Sequence, residues 1–445
     1  MNDNHESGNR RIRTRREFLR TTAAAAAATT ALGAVPAEES LIDPRPIPAA
    51  LPPVIPGPRE PALIGVIGTG GMGTEHCNAF MRLVKAGQED VRIVALADVC
   101  DPRAEDARKK IVEGGQATPP TVHRDYRELL ANPAIHGVLI ATTEHWHEKI
   151  AEDAILAGKA VYVEKPMTLN LKGALRLYKV VNQTPGAILQ VGTQYMMYDA
   201  YREARRLIDA GTIGKPVWSQ TAYCRNSKDG EWLYYAIDPQ WQPGVNLDWD
   251  EWCRPLGKAP WNPEIYARWR RYRKYSSGII GDLLVHRMTP LAWSLNVGWP
   301  TRVVASGGHY VDKAMENHDQ ININVEFEGG HTMVVAGSTA NEQGFETMIR
   351  GHKATLYLND RRLVMRPERL FAEEIDEHNF EGPDKGDPQN QLRLNWIESI
   401  RTRNPVASPI EFGTKIMVIV DLATRSLWEG SAFGYDPEKQ KVKKL

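Results

Sequence analysis

The sequence predicts an α/β Rossmann domain followed by an α+β domain with an open, mostly antiparallel sheet. In the first part, apolar strand-like runs alternate with amphipathic helix-like stretches, which is typical of parallel strands joined by crossover helices. Past about residue 195 the apolar runs are closely spaced and separated by turns such as Glu328-Gly329-Gly330, which indicates antiparallel strands. The parallel runs are 62–67, 91–97, 137–141, 160–163 and 187–191; later runs lie near 217–223, 302–306, 320–327, 331–338, 346–349, 354–358 and 361–365. Helices are predicted at 148–157, 171–182, 199–210, 391–402 and 413–429.

Length and composition restrict the class of partner. The chain has 445 residues, which suggests two domains with sizeable cores. Its 55 basic and 55 acidic side chains create no global field that would attract nucleic acid or an anionic membrane. The four cysteines form no C-x-x-C pair, so neither a zinc site nor a disulfide framework is indicated. We therefore expect a small-molecule partner and no nucleic acid.

The first 37 residues have the pattern of an export signal. The segment Thr14-Arg15-Arg16-Glu17-Phe18-Leu19-Arg20 matches the twin-arginine pattern, and an Ala-rich stretch from 23 to 35 follows it. An ordinary basic tail is the alternative. No later run approaches the ~18 apolar residues of a membrane span, so no stable membrane insertion is expected after processing. The signal predicts a periplasmic or extracytoplasmic protein, which must hold any nicotinamide cofactor tightly because no pool of it exists there.

A proline-rich arm is predicted over residues 38–61. Eight prolines between 44 and 61 exclude a helix or a central strand, so the arm should be stiff and extended. It either spaces the domain from the signal or packs on a neighbouring subunit. The Rossmann domain is then expected over 62–194, and a substrate-binding and oligomerisation domain over 195–445.

A glycine-rich turn after the first strand predicts a dinucleotide site. Gly68 permits the tight turn, Gly70 allows the backbone to approach a pyrophosphate, and Gly73 lets the helix lie close to the strand. The helix N-terminus favours phosphate. Asp98 ends the second strand, where it would bind the ribose hydroxyls and repel a 2′-phosphate, so NAD is favoured over NADP. Cofactor contacts are thus predicted at Gly68, Thr69, Gly70, Gly71, Met72, Gly73 and Asp98.

Polar side chains follow later strands, at the sheet edge where ligands bind in open α/β folds. These segments are Thr142-Thr143-Glu144-His145-Trp146-His147 and Glu164-Lys165-Pro166. Asp282 and His286 are four residues apart and would share one face of a helix, a pairing suited to removing a proton from an alcohol. His145 and His147 lack a further ligand cluster, so packing against cofactor or substrate is favoured over a metal. Cofactor contacts are predicted at Thr142, Glu144, His147, Glu164, Lys165 and Gln194.

On the glycine turn, the Glu164-Lys165-Pro166 tripeptide and the Asp282/His286 pair, the chain resembles the glucose–fructose oxidoreductase/inositol dehydrogenase/MocA (Gfo/Idh/MocA) family. The resemblance covers roughly residues 62–430. It implies that Lys165 polarises the substrate oxygen, that His286 is the base and that Asp282 orients it. The chain departs from the family pattern at Thr143, where proline is common, and at Thr289, where aspartate often follows the histidine.

The favoured function is an exported, NAD-dependent oxidoreductase that acts on a CH–OH group of a sugar or polyol. The alternatives are a redox-neutral, NAD-dependent glycosidase and a non-catalytic dinucleotide-binding protein. Thirteen tryptophans and tyrosines between 218 and 275 are assigned to packing, with some in contact with carbohydrate. The basic run 268–274 is interpreted as a solvated or inter-subunit stretch. A homo-oligomer is predicted through the open sheet face, because Met333, Val334 and Val335 are apolar on both sides of the sheet.

Overall fold

The computed structural model describes residues 38–445, so the twin-arginine signal predicted over 1–37 lies outside the described residues. Both predicted sheets are present, and the fold class is confirmed. The arm contributes one short strand, β1 (Glu38–Ser40). Within residues 38–445 no helix combines the length and apolarity that a membrane crossing requires.

The Rossmann sheet has six parallel strands, joined by helices on its two faces. The strands are β2 (Ala62–Ile67), β3 (Val91–Ala97), β4 (Thr121–His123), β5 (Gly137–Ile140), β6 (Ala160–Val163) and β7 (Leu189–Val191). The helices are α1 (Gly71–Lys85), α2 (Asp101–Glu113), α3 (Tyr126–Leu130), α4 (Glu144–Leu156) and α5 (Leu171–Gln183). The strand order β4-β3-β2-β5-β6-β7 reverses direction between β2 and β5, which is where this fold places its ligand.

The second domain is built on a large sheet that includes the arm strand. Its other strands are β8 (Pro216–Cys224), β9 (Pro300–Gly308), β10 (Gln320–Phe327), β11 (His331–Ser338), β12 (Thr347–Gly351), β13 (Ala354–Leu358), β14 (Arg362–Pro367), β15 (His378–Glu381), β16 (Phe433–Asp436) and β17 (Lys441–Lys444). The order is β1-β17-β16-β9-β10-β11-β8-β12-β13-β14-β15. Only the β11–β8 pair is parallel among these neighbours. The helices are α6 (Asp199–Asp209), α7 (Trp249–Cys253), α8 (Pro263–Arg268), α9 (Val285–Leu295), α10 (Pro388–Thr402) and α11 (Ile410–Glu429).

The two faces of the large sheet differ in burial. One row of paired residues, which runs from Val303 through Val325, Met333, Ile349 and Leu356, is fully buried. The adjacent row on the opposite face is only half-buried or exposed; its members are Val304, Asn324, Val334, Gln220, Met348, Tyr357 and Val364. Alternation along each strand therefore puts one face in the core and leaves the other open.

The proline-rich arm packs on its own chain. Strand β1 pairs with β17, and Leu41 is fully buried. Further along, the backbone oxygen of Arg45 accepts a hydrogen bond from Arg176 at 2.7 Å, and Leu51 N donates to Leu156 O at 2.8 Å. The arm is therefore more than a spacer, and its predicted contact with a neighbouring subunit stays a prediction. It runs from the large sheet across two helices of the Rossmann domain and contacts both.

Helix α10 returns from the second domain to the Rossmann sheet. Its buried residues Leu392, Trp396 and Ile400 pack in one cluster with strand residues such as Ile64. The amide of Gln190 in β7 donates to Leu392 O at 2.7 Å. The sequence assigned this helix to the second domain, yet it completes the cover of the first.

Candidate active site

The glycine turn forms a cradle in which backbone atoms approach closely. Gly68 has a φ of +87°, and a Cβ on Gly73 would lie 1.8 Å from Gly68 O, so neither position tolerates a side chain. Gly70 precedes α1 in an extended conformation with no side-chain cap, which leaves the first amides of the helix free for an anion. Thr69 donates from its N (2.6 Å) and its Oγ1 (3.0 Å) to Asp98 Oδ2, which fixes the carboxylate beside the turn. The residues present fit a dinucleotide.

A cleft of about 450 Å³ runs from this turn to the second domain. Its walls include both the phosphate turn and the predicted reacting residues, so the two domains share one site. Of the predicted residues, the cleft is lined by Gly68, Gly70, Gly71, Met72, Asp98, Thr142, Glu164, Lys165 and Asp282. The other predicted residues are not part of this lining; they are Thr69, Gly73, Glu144, His147, Gln194 and His286.

Residues 241–269, here called the strap, cover the end of the cleft near Asp98. The strap is joined to the Rossmann domain by backbone bonds: Asp101 N donates to Asn246 O (2.9 Å), and Asp248 N donates to Val99 O (2.8 Å). The Arg103 guanidinium, which lines the cleft, lies over the rings of Trp241 and Tyr266 at 4.8 and 4.5 Å. Aromatic residues of the run that the sequence singled out thus close the cofactor side of the cleft.

At the other end of the cleft, Asp282 joins two cations. Its Oδ1 accepts hydrogen bonds from Lys165 Nζ (2.9 Å) and from Arg270 Nε (2.8 Å), and Lys165 Nζ also donates to the Asp282 backbone oxygen (2.8 Å). Burial acts to raise the pKa of Asp282, but the charges of Lys165 and Arg270 outweigh it and hold this pKa far below its usual range. Asp282 is therefore ionised and holds Lys165 at the cleft wall.

The predicted hydrogen bond between Asp282 and His286 is not formed, which corrects the orienting role assigned to Asp282. Residues Ile280–Leu284 form a π-helix, and the α-helix begins only at Val285. The Asp282 carboxylate instead accepts hydrogen bonds from Lys165 and Arg270. Nδ1 of His286 has no hydrogen-bond partner among the described residues. Burial, with the charge of Lys165, lowers the pKa of His286 to about 3, which keeps the ring neutral.

Glu144 and His147 hold loops together behind the cleft. Glu144 accepts hydrogen bonds from Ser276 Oγ (2.6 Å) and Ser277 N (3.2 Å), and burial raises its pKa to about 7. The His147 ring nitrogens lie 2.8 Å from Pro166 O and 3.1 Å from Thr142 O. Gln194 begins a short 3-10 turn behind the lining. None of these three residues lines the cleft, and their direct contact with the cofactor stays a prediction.

Sequence reasoning missed Arg270 and misjudged the run that contains it. The run was interpreted as solvated or inter-subunit, but Arg271 is buried and binds Asp312, and Arg270 binds Asp282. The flanking aromatic residues were the available signal, since Arg270 stacks on Trp269 at 4.2 Å. Two further residues were also missed: His76, which contacts Glu164 directly, and Arg393, which donates a hydrogen bond to His76. Across residues 38–445 there is no group of three or more side chains suited to hold a metal ion.

Two family models match this chain. Residues 62–193 match the oxidoreductase family, NAD-binding Rossmann fold, and residues 256–433 match the C-terminal alpha/beta domain of the same Gfo/Idh/MocA family. Together they cover most of the described fold, in the order that the structure shows.

Similar proteins include inositol 2-dehydrogenases. That of Burkholderia multivorans is 32% identical over 168 residues, which is 38% of this chain and 47% of the relative. That of Gluconacetobacter diazotrophicus is 33% identical over 151 residues, 34% of this chain and 42% of the relative. The matches thus span about half the length of these curated relatives.

Solved structures share the fold over a longer range. An NAD-binding oxidoreductase from Klebsiella pneumoniae has a TM-score of 0.63 at 22% identity, and covers 84% of this chain and 98% of its own. A levoglucosan dehydrogenase in complex with NADH and levoglucosan has a TM-score of 0.64 at 19% identity, covering 84% and 99%. At these identities the likeness shows the fold alone.

Proposed function

Because this chain belongs to the Gfo/Idh/MocA family of NAD-binding oxidoreductases, we propose that it oxidises a CH–OH group of a sugar or polyol with tightly held NAD. One observation carries the proposal: a single cleft joins the phosphate turn and Asp98 to Lys165, Asp282 and Arg270. Relatives named for inositol and levoglucosan support the substrate class. Exposed aromatic side chains at the second-domain end, Tyr234 and Tyr235, offer faces for a sugar ring.

At the second-domain end of the cleft, different groups remove the proton and the hydride from the alcohol. When bound, NAD supplies the oxidised nicotinamide that accepts the hydride from the carbinol carbon. Lys165, held by Asp282, donates a hydrogen bond to the substrate oxygen and stabilises the negative charge that develops there. His286 is neutral and lies near Lys165 and Asp282, although outside the lining of the cleft, and we assign it the removal of the hydroxyl proton.

The strap supports tight retention of the cofactor. It covers the Asp98 end of the cleft and is anchored there by backbone bonds, which would slow the release of NAD. We expect purified protein to release close to one NAD per chain on denaturation, and Trp241→Ala to speed NAD dissociation by about 10-fold because Arg103 loses one of its two aromatic contacts. Trp428→Ala is the matched control, since Trp428 stacks under Arg273 away from the cleft. Release of mostly NADP, or equal dissociation rates in both variants, contradicts this part.

The reaction is tested by adding sugars and polyols to the holoprotein without free NAD. A true substrate converts bound NAD to NADH, seen as nicotinamide fluorescence, and an added carbonyl acceptor restores the oxidised form. If no sugar or polyol of a broad panel reduces the bound cofactor, the proposal is wrong. Release of reducing sugar from a glycoside with no net change in cofactor would instead assign the redox-neutral glycosidase route.

Export by the twin-arginine route is proposed from the sequence pattern at Arg15 and Arg16. The conservative double variant Arg15→Lys/Arg16→Lys keeps the charge, so it separates recognition of the pair from general basicity. We expect the wild-type protein outside the cytoplasmic membrane with NAD bound, and the double variant retained inside. Retention of the wild type, or export of both forms, contradicts the route.

Assembly into a homo-oligomer is proposed through the open face of the large sheet. Apolar Val304, Val334 and Met348 are half-buried there, and no other part of residues 38–445 covers their row fully. We expect light scattering to give a mass above one chain, and Val334→Lys to reduce it. Val112→Lys, at an exposed valine of Rossmann helix α2, is the control that should leave the mass unchanged. A single-chain mass for the wild type, independent of concentration, refutes the oligomer.

A further inference from the structure

Three buried side chains from separate elements form a chain of hydrogen bonds behind the cleft. Arg393 in α10 donates from Nε to His76 Nδ1 at 2.8 Å. The other ring nitrogen of His76, in α1, lies 2.8 Å from Glu164 Oε1. Arg393 is 1% exposed, His76 0% and Glu164 5%. These hydrogen bonds therefore link helix α10 to the wall of the cleft with little access for water.

The donors and acceptors in this chain have only one consistent arrangement. A guanidinium can only donate, so His76 Nδ1 accepts and carries no proton. The ring proton then lies on Nε2, which donates to Glu164. Burial lowers the pKa of His76, in keeping with this neutral tautomer. Glu164 consequently needs to be the acceptor, and its carboxylate is held ionised.

Glu164 is fixed at the reaction end of the cleft. Its Oε2 accepts from the backbone N of Lys165 at 3.2 Å, and both residues line the cleft. On the far side, a Cβ on Gly192 would lie 2.9 Å from Glu164 Oε1, so the carboxylate fills the space that glycine leaves. Burial acts to raise the pKa of Glu164, but its hydrogen bond to His76 and the charge of Lys165 lower it. A negative charge thus sits in a defined place beside Lys165.

We propose that Glu164 biases the cleft towards the oxidised, cationic form of NAD, and that His76 and Arg393 are positioning residues that hold its charge in place. The inference rests on the proposed function, because it takes NAD as the cofactor and Lys165 as the residue beside the reacting carbon. The nicotinamide ring carries a positive charge in NAD⁺ and none in NADH. A fixed carboxylate near the ring therefore stabilises one form only. The resting protein would hold the form that is ready to accept a hydride.

The test compares the affinities for NAD⁺ and NADH, read as the reduction potential of the cofactor bound to the holoprotein. Glu164→Gln removes the charge but keeps an acceptor for His76. We expect it to shift the affinity ratio towards NADH by at least ~10-fold. Glu164→Asp, which keeps the charge and shortens the reach, should shift the ratio less and in the same direction. An unchanged ratio in both variants overturns the inference.

Variants of His76 test positioning separately from folding. His76→Phe removes both hydrogen bonds and should shift the ratio towards NADH, whereas His76→Gln, whose amide both donates and accepts, should restore most of it. In a Glu164→Gln background, His76→Phe should add no further shift, because the charge it positions is gone. His331→Gln is the control: His331 is equally buried but bonds Ser219 in the large sheet, so the ratio should stay unchanged.

The outcomes separate this inference from the proposed function. If the purified protein holds no NAD, the proposed function fails. If it holds NAD and oxidises a sugar but Glu164→Gln leaves the ratio unchanged, only the bias fails. If the His76→Phe and His331→Gln variants shift the ratio equally, the effect is general loosening and the positioning role is wrong.

Discussion

The two ends of the cleft are built from different parts of the chain. The phosphate end uses backbone: Gly68 to Gly73 and the start of α1 form it within one turn, with Asp98 fixed by Thr69. The reaction end uses side chains: Lys165, Arg270 and Asp282 come from separate elements and meet through ion pairs. Backbone sites depend on local steric limits, whereas side-chain sites depend on how distant elements pack. The ends should therefore respond differently to substitution.

The largest effect is expected at the phosphate end from a single methyl group. Gly73→Ala places a Cβ 1.8 Å from Gly68 O, a backbone atom that cannot move without opening the turn. We expect loss of retained NAD and destabilisation by roughly 1–3 kcal/mol. Lys85→Ala, at an exposed position in the last turn of the same helix, is the control. The NAD bound per chain measures retention, and thermal unfolding measures the loss of stability. Equal NAD content in the two variants would contradict the prediction.

At the reaction end, substitutions should abolish turnover while NAD stays bound. Lys165→Met and His286→Ala are each expected to lower turnover by at least ~100-fold, the low end for loss of a positioned proton-transfer group. Neither residue belongs to the glycine turn, so the released NAD should equal that of the wild type. Turnover close to wild type in either variant removes that residue from the mechanism.

Coupling between residues sharpens the same comparison. Because Asp282 binds Lys165 and not His286, its effect should depend on Lys165. In double-mutant cycles on turnover, Asp282→Asn with Lys165→Met should be non-additive by at least ~1 kcal/mol. Asp282→Asn with His286→Ala should be closer to additive. The reverse pattern would restore the Asp282–His286 pair that the spacing predicted.

A pH dependence of stability is expected from one buried histidine near each end. Burial lowers the pKa of His145, behind the strap, to about 4, and that of His286 to about 3. A depressed histidine pKa contributes stability that is present above the unfolded value of about 6.5 and lost as pH falls towards the folded value. At pH 5 each buried neutral ring should lower the free energy of unfolding by about 2 kcal/mol relative to neutral pH. In urea unfolding, the free energy of unfolding should fall less steeply with decreasing pH in His145→Gln and His286→Gln than in the wild type. An unchanged pH dependence in both variants would mean that both rings contact water.

The sequence predicted elements best where burial alternates over many residues. Strands β2, β3, β6, β10, β11 and β13 have the predicted bounds. Strands β2, β3, β10 and β11 are specified by six or more alternating or continuously apolar residues. Strands β6 and β13 are shorter runs that were recognised by their spacing along the chain. Strands β1, β4 and β15 to β17 were missed. Each has only three or four residues and is formed at or near a sheet edge, where the pattern is too short to distinguish from a loop.

Local sequence was sufficient for the turn from Gly68 to Gly73 and for Asp98, since steric limits on a few successive residues dictate the backbone there. It also placed Lys165 and Asp282 at one cleft. The tertiary structure alone decided which partners they take. Asp282 binds Lys165 and Arg270 and not His286, and α10 brings Arg393 to His76 across 317 positions of sequence. Such pairings arise because a buried charge must find a partner among whatever side chains packing brings near, and no short stretch of sequence records that neighbourhood.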